Sequence, residues 1–295
     1  MSYQITVSIC TKIQAEICKL LPTRRLTILS KSVMEVESPR FLTLFCMATF
    51  KFVYGVDLQD CPRKSLRDYQ SVQDLFSRKL EPSARKSADS NLVSPCDGIL
   101  VGCGKLLESD RIRVKNQNFT LASLLKINPN TTARDLLTKK DNSTSLYYSI
   151  IYLAPGDYHH FHSPCNWQVK DRRHVYENLF WFADNRVPLL RNSIAHNERV
   201  IYQGNWRDGS YFCFIPVGAL LVGTIKVGFD STLGNHPLCI EHKRFGDNEK
   251  GITLKKSEHI GNFLFGSTCV LIFEDSSDFK FRSTPGTRLR VGEAL

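Results

Sequence analysis

A change in the spacing of apolar residues near Pro82 most constrains the fold of this chain. Before that point, apolar residues recur at intervals of three to five, as in SLRDYQSVQDLFSRKL (65–80), and this spacing predicts helices. From Asn91 onward, short runs of β-branched and aromatic residues alternate with Gly, Asn, Asp and Pro, as in LYYSIIYLAPGD and FGSTCVLIFE. The pattern predicts an α+β chain in which a helical region precedes a β-rich domain.

The most apolar stretch, FLTLFCMATFKFVYGV (41–56), lies in the helical region. Its 16 residues include Lys51 and fall short of the roughly 20 needed to span a bilayer, so it predicts a buried or interfacial helix. The residues before it, 1–31, are rich in basic and hydroxyl side chains. They fit either an organelle presequence or an amphipathic helix that lies on a membrane.

The net charge indicates which partners the protein could bind, and the cysteine pattern indicates the state of its thiols. The net charge of +10 and the pI near 9.1 suit an anionic membrane surface or nucleic acid, and they are equally compatible with a merely basic protein. We expect no nucleic acid partner, because no sequence motif accompanies the charge. The ten cysteines include no CxxC pair, which predicts reduced thiols and no structural metal site built on cysteine.

Three histidines in the segment APGDYHHFHSPCNW (154–167) are candidates for chemistry. In an extended segment His160 and His162 share one face, and His159 points to the other. An HxH pair on a strand can bind a metal, and histidines near neutral pH can also act as base and acid in proton transfer. Loop histidines with satisfied hydrogen bonds are the simplest alternative.

Two further residues complete a hypothetical nucleophilic triad. Asp97 follows a proline turn in VSPCDGIL (93–100), where a carboxylate could orient a histidine, although an Asp-Gly pair usually marks only a turn. Ser267 carries a hydroxyl beside the carbonyl of Gly266, which no side chain shields. These residue types on three distant segments permit such a triad but do not establish it.

Together these segments resemble the phosphatidylserine decarboxylases, a family that carries a covalent pyruvoyl group. The family's SPxDG is found at 94–98, its DYHxxHxP at 157–164, and its LGST at 265–268. The likeness extends from about residue 21 to the end and is greatest to the eukaryotic mitochondrial branch. Phe265 in place of leucine and His259 in place of a common methionine depart from the pattern, and we expect them to affect the rate of processing rather than its chemistry.

The resemblance implies a division of the chain. It predicts a helical, membrane-associating region over 1–82 and an antiparallel β-rich catalytic domain over 83–295. It also predicts self-cleavage between Gly266 and Ser267 into a β chain, 1–266, and an α chain, 267–295, which remain associated. The expected location is the mitochondrial inner membrane.

The resemblance also implies roles for the candidate residues. His162, oriented by Asp97, takes the hydroxyl proton of Ser267, which attacks the carbonyl of Gly266; elimination from the resulting ester and loss of ammonia leave the pyruvoyl group at residue 267. This covalent cofactor forms a Schiff base with phosphatidylserine and accepts the electrons released with carbon dioxide. His159 is the expected proton donor, and phosphatidylethanolamine is the product. No metal is expected.

Two other functions fit the same residues. A pyruvoyl-dependent decarboxylase of a soluble amino acid would keep the Gly266-Ser267 step but would not need the apolar stretch at 41–56. A β-rich membrane-binding relative that never processes itself is the non-catalytic alternative.

Overall fold

The structure is a computed structural model that describes residues 39–106, 111–114, 117–140, 142–177, 193–218, 225–233, 240–246, 251–264 and 267–295. Its helices are α1 (Arg40–Tyr54), α2 (Val72–Phe76), α3 (Leu121–Leu125), α4 (Ala133–Leu136) and α5 (Ser193–His196). Its strands are β1 (Gly98–Lys105), β2 (Arg111–Val114), β3 (Gln117–Thr120), β4 (Thr144–Leu153), β5 (His160–His162), β6 (Trp167–Val175), β7 (Arg199–Trp206), β8 (Ser210–Gly218), β9 (Ile225–Val227), β10 (Ile240–Arg244), β11 (Ile252–Leu254), β12 (His259–Phe263), β13 (Ser267–Ser276) and β14 (Arg288–Leu289).

A large antiparallel sheet dominates the described residues. Its strands follow the order β10-β6-β7-β8-β13-β4-β1-β14, and β11 pairs with β6 beside β10. The prediction of a β-rich antiparallel α+β fold is confirmed for this part of the chain. Smaller sheets are formed by β5-β12-β9 and by β2-β3.

Strand β13 lies in the middle of the large sheet and contributes to a core on each face. Cys269, Leu271 and Phe273 belong to one apolar cluster, whereas Val270 and Ile272 belong to another. Side chains alternate between the two faces of a strand, so a continuous apolar run such as TCVLIF is what a strand covered on both faces requires. The apolar run at 268–273 therefore reflects the position of β13 between two apolar clusters.

The helical region is more broken than its apolar spacing predicts. Over 65–80 the structure contains a 3₁₀ turn, Leu66–Asp68, and then α2, instead of one continuous helix. Tyr69 between them is extended and fully buried, and its hydroxyl donates to the carbonyl of Arg63 at 2.7 Å. Ser71 then caps the new helix by accepting from the amide of Asp74. Burial of Tyr69 and the serine cap thus outweigh the helical periodicity.

Helix α1 confirms the helix predicted over 41–56. Met47 on one side is fully buried against residues that include Leu75. The opposite side exposes Phe41, Phe45 and Phe52, which are 76%, 68% and 88% accessible. No helix within the described residues is long and apolar enough to cross a bilayer.

Candidate active site

Strand pairing brings the three predicted motifs to one end of the large sheet. Ser267, the first residue of β13, pairs with Leu153, the last residue of β4. The segment that carries the three histidines follows Leu153 directly. On the other side of β4, strand β1 begins at Gly98, which immediately follows Asp97. Adjacent strands thus bring segments that are up to 170 positions apart in sequence to the same end of the large sheet.

Backbone hydrogen bonds hold the histidine segment between its neighbours. The amide of His162 donates to the carbonyl of Pro95 at 2.7 Å, which joins this segment to the turn that contains Asp97. The amide of Phe263 donates to the carbonyl of His159 at 2.9 Å, which joins it to the strand that leads toward the Gly266-Ser267 step. Little freedom remains in the backbone that carries the histidines.

The predicted alternation of the histidines is confirmed. The rings of His160 and His162 both pack against His259, with centroids 5.0 and 5.2 Å away, whereas His159 packs on the ring of Phe76 at 3.8 Å. Among the described residues, no group of three His, Cys, Asp or Glu side chains is arranged to hold a metal ion.

His159 has one buried ring nitrogen with no partner. The side chain is fully buried, and Nδ1 donates to the carbonyl of Asp157 at 2.9 Å. That bond makes Nε2 the unprotonated nitrogen, and Nε2 has no hydrogen-bond partner among the described residues. Burial lowers the pKa of His159 to about 3, so the ring is neutral at pH 7. An unpartnered buried acceptor of this kind is available for proton transfer.

His162 is held through both ring nitrogens. Nδ1 donates to the carbonyl of Ser257 at 3.1 Å, and Nε2 accepts from the hydroxyl of Tyr158 at 3.2 Å. Burial is also the main cause that lowers the pKa of His162, to about 4. The carbonyl of Ser257 therefore fixes the tautomer that leaves the lone pair on Nε2.

Asp97 pairs with an arginine that the sequence analysis did not single out. Arg85 Nη2 lies 2.6 Å from a carboxylate oxygen of Asp97, and the amide of Val291 donates to the other oxygen at 2.8 Å. A hydrogen bond between Asp97 and His162 is not among those that the described residues form, and the orientation of His162 by Asp97 stays a prediction. Arg85 also pairs with Asp60 at 2.7 Å, so one guanidinium bridges two carboxylates.

His160 and His259 link three parts of the site. Nε2 of His160 donates to the carbonyl of Ser77 at 3.0 Å, which leaves Nδ1 to accept from Nε2 of His259 at 2.8 Å. The histidine found in place of a methionine therefore supplies a hydrogen bond that a thioether could not donate.

The cleavage step itself is only partly described. Phe265 and Gly266 lie outside the described residues, and Ser267 is described by its backbone alone. The next residue, Thr268, is almost fully buried, and its hydroxyl oxygen has no hydrogen-bond partner within the described part of the chain.

Some of the site could not be predicted from spacing. Tyr158 stands inside the histidine motif, and its position between Asp157 and His159 is the signal that could have identified it. Arg85 gave no comparable signal, because its partner Asp97 is 12 positions away across a polar stretch.

The buried histidines make stability depend on pH. Folding lowers the pKa values of His159, His160 and His162 to between about 3 and 4, against 6.5 for an exposed imidazole, mainly through burial. Below pH 6.5 the unfolded chain therefore binds protons that the folded chain excludes, and stability falls as pH falls. We expect a loss of roughly 2 kcal/mol per histidine between pH 6.5 and pH 5.

Urea unfolding at pH 7, 6 and 5 measures this loss. Replacing His160 with Gln is expected to reduce the slope by about the share of one histidine. A free energy of unfolding that is flat between pH 7 and pH 5 would contradict the assignment of neutral, buried rings.

Comparison with known proteins identifies the family. Residues 72–295 match the family model described as phosphatidylserine decarboxylase. The whole chain is 33% identical, over 316 aligned residues, to the mitochondrial phosphatidylserine decarboxylase proenzyme of Cricetulus griseus and covers 76% of it. The corresponding protein of Pongo abelii is 33% identical over 300 aligned residues, which include 94% of this chain and 72% of that protein.

A more distant relative shows the same relationship. The phosphatidylserine decarboxylase proenzyme of Plasmodium falciparum is 29% identical over 289 aligned residues, with 94% of this chain and 77% of the relative aligned. With the three motifs gathered at one end of the sheet, these matches show that the chain belongs to the phosphatidylserine decarboxylase family and converts phosphatidylserine to phosphatidylethanolamine and carbon dioxide.

Proposed function

We propose that the chain cuts itself between Gly266 and Ser267 and that residue 267 becomes the pyruvoyl group on which the decarboxylation depends. The observation that carries this proposal is the backbone pairing of Ser267 with Leu153, which precedes the histidine segment directly. The intact mass of the purified chain tests the cut, because cleavage yields two fragments of defined ends.

Two buried polar atoms of the candidate site support the presence of a further polar group. His159 Nε2 and the Thr268 hydroxyl oxygen are both buried without a hydrogen-bond partner among the described residues. Such atoms are costly unless a partner satisfies them. A pyruvoyl group at residue 267 would supply carbonyl oxygens, which can accept from a hydroxyl such as that of Thr268 but not from the unprotonated Nε2 of His159, and an electron sink for the electrons released with carbon dioxide.

His162 is the proposed base for self-cleavage. Its Nδ1 hydrogen is engaged by the carbonyl of Ser257, so Nε2 can take the hydroxyl proton of Ser267 as the Ser267 oxygen attacks the carbonyl carbon of Gly266. The neighbouring Tyr158 hydroxyl, which donates to Nε2 at 3.2 Å, would have to release that nitrogen.

Asp97 is proposed to assist His162 by its charge. The Asp97 carboxylate raises the pKa of His162 against the larger effect of burial, which lowers it. Arg85 and the amide of Val291 hold that carboxylate in place. In this form the triad Asp97, His162 and Ser267 works without a direct hydrogen bond from the imidazole to the aspartate.

His159 is the proposed proton donor to the carbon that loses the carboxylate. Since Nε2 is unprotonated in the resting chain, it must first receive a proton. Burial makes an imidazolium at this position unstable, as the pKa of about 3 reflects, so a proton that reaches Nε2 is readily given up.

The two fragments are proposed to remain together after cleavage. The α chain, 267–295, would begin with β13, which pairs with β4 on one side and β8 on the other. Five consecutive side chains of β13, from Cys269 to Phe273, are fully buried. Burial of each of the four from Val270 to Phe273 stabilises the assembly by roughly 1.5–3 kcal/mol. The β chain, 1–266, would supply both neighbouring strands.

Helix α1 is proposed to place the enzyme on a membrane. Phe41, Phe45 and Phe52 lie on one helical face and are largely exposed, and a concentrated apolar face of this kind marks a contact surface. The positive net charge favours an anionic lipid surface. A soluble amino acid substrate would give no reason for such a face, so this region, within 1–82, favours a lipid substrate.

Removing the apolar face should reduce membrane binding. We expect the double substitution Phe45→Ser and Phe52→Ser to weaken binding to vesicles of phosphatidylserine and phosphatidylcholine by at least about tenfold. Each phenylalanine that enters the lipid contributes roughly 2 kcal/mol to binding. Vesicle flotation measures the effect. Ile240→Ser, at an apolar residue of β10 that is 44% exposed, is the matched control; equal binding by the double variant and wild type would refute this role of α1.

The cellular location is proposed from the relatives. The proteins of Cricetulus griseus and Pongo abelii are named as mitochondrial. We therefore assign the chain to the mitochondrion, and the proposed lipid contact of α1 leads us to assign it to the inner membrane.

A further inference from the structure

A polar cavity lies where the N-terminal region meets the histidine segment. It has a volume of about 120 Å³, and its lining includes Gly55, Arg78, Asp97, Gly156 and Tyr158. Gly55 directly follows α1, and Gly156 approaches α1 so closely that a Cβ atom there would lie 2.0 Å from the carbonyl oxygen of Tyr54. The cavity thus lies between the end of the exposed apolar helix and the residues that precede His159.

Arg78 is the unusual residue of this cavity. Only 3% of it is exposed, Nη2 donates to the carbonyl of Gly156 at 2.7 Å, and the guanidinium also lies against the thiol of Cys61. Its Nε and Nη1 atoms are buried and have no hydrogen-bond partner among the described residues. Burial raises the pKa of the neighbouring Cys61, so that thiol is neutral and provides no counter-charge.

The buried carboxylates of the cavity are committed to other arginines. Asp97 pairs with Arg85, and Asp157 pairs with Arg288. The described ion pairs include none to Arg78. Asp57, which also lines the cavity, is exposed to solvent. A buried guanidinium without a carboxylate partner is costly, and an anion that enters the cavity would remove that cost.

The substrate carries two anionic groups, and the chemistry distinguishes them. Its carboxylate leaves as carbon dioxide, so a strong ion pair with it would stabilise the ground state and oppose the reaction. Its phosphodiester keeps its charge throughout, and the planar fork of a guanidinium suits phosphate oxygens. In the lipid, moreover, the phosphodiester lies between the acyl chains and the serine group, as the cavity lies between α1 and His159.

We propose that the guanidinium of Arg78, which lines the cavity, binds the phosphodiester of the phosphatidylserine headgroup. The inference rests on the proposed function for the position of the reacting serine group and the direction from which the lipid enters. It makes Arg78 a substrate-binding residue that is not needed for self-cleavage.

Binding to the uncut Ser267→Ala chain tests the proposal independently of processing, because the cavity is present in the uncut chain. Glycerophosphoserine is titrated into this chain with and without Arg78→Gln, and inorganic phosphate is titrated separately. We expect Arg78→Gln to weaken glycerophosphoserine binding by at least about tenfold, as loss of a charge-assisted hydrogen bond implies. Arg282→Gln, which removes an exposed positive charge, should change it less than about twofold.

Kinetics on dihexanoyl phosphatidylserine supply a second readout. In the processed enzyme, Arg78→Gln should raise KM by at least about tenfold and leave kcat within about threefold, with the same two fragments as wild type. If Arg78→Gln does not fold, Arg78→Lys takes its place, because a lysine lacks the planar fork and should also raise KM about tenfold.

Three results would overturn the proposal. A folded Arg78 variant with unchanged glycerophosphoserine binding would do so, as would an effect confined to kcat. Tighter binding of inorganic phosphate than of glycerophosphoserine would show that the cavity takes a free anion instead of a lipid headgroup. Because the binding measurements on the uncut Ser267→Ala chain do not depend on the cut, a failure of self-cleavage would not be mistaken for a failure of this site.

Discussion

Ser267→Ala is expected to leave the chain as a single piece of 33.6 kDa with no measurable decarboxylation of phosphatidylserine. The substitution removes the only atom of residue 267 that can attack the carbonyl of Gly266, and alanine cannot yield a pyruvoyl group. Intact mass and release of carbon dioxide from labelled substrate measure the two effects on the same sample.

The matched control lies on the same strand. Ser276 ends β13 at the opposite end from Ser267 and is exposed, so Ser276→Ala should be cut and active. Two fragments from the Ser267→Ala chain would show that another nucleophile makes the cut, and the proposed origin of the cofactor would then be wrong.

His159→Ala is expected to separate the cut from the reaction. This variant should yield both fragments, because His162 is the proposed base for cleavage, yet its kcat should fall by at least about 100-fold through loss of the proton donor. Fragment analysis and steady-state kinetics measure the two outcomes. His162→Ala should instead block the first step, because it removes the proposed base for cleavage, and the chain should remain uncut.

The exposed His242 provides the control for histidine loss, and His242→Ala should match wild type. Because His159 packs on Phe76, a melting curve is needed to show that the variant is folded. Failure of a folded His159→Ala chain to cut itself would assign this residue to processing; retention of full activity after cutting would exclude it as the donor.

The sequence predicted those parts of the fold that depend on local pattern. The apolar run from Cys269 to Phe273 predicted a strand because both faces of β13 are buried, and the stretch 41–56 predicted a helix that the structure begins at Arg40. The break in the helix predicted over 65–80 was not foreseen. It depends on the burial of Tyr69 between elements that only the folded chain brings together.

The site shows the same limit. Local pattern made Asp97 and the three histidines candidates, and the resemblance chose His162 and supplied the roles. Neither indicated that Arg85 would hold the aspartate or that Ser257 would hold the imidazole. Ser257 is 95 positions from His162 and contributes a backbone carbonyl. Every residue type has such a carbonyl, so the sequence gives no sign of this contact. The burial of Arg78 is likewise a product of how α1 and the histidine segment meet.

Intact-protein mass spectrometry of freshly purified wild-type chain tests the central claim most directly. We expect two fragments, 1–266 and 267–295, and a blocked N-terminus on the smaller one that reacts with a carbonyl reagent. A single uncut chain of 33.6 kDa that is still unprocessed after incubation with phosphatidylserine vesicles would contradict it.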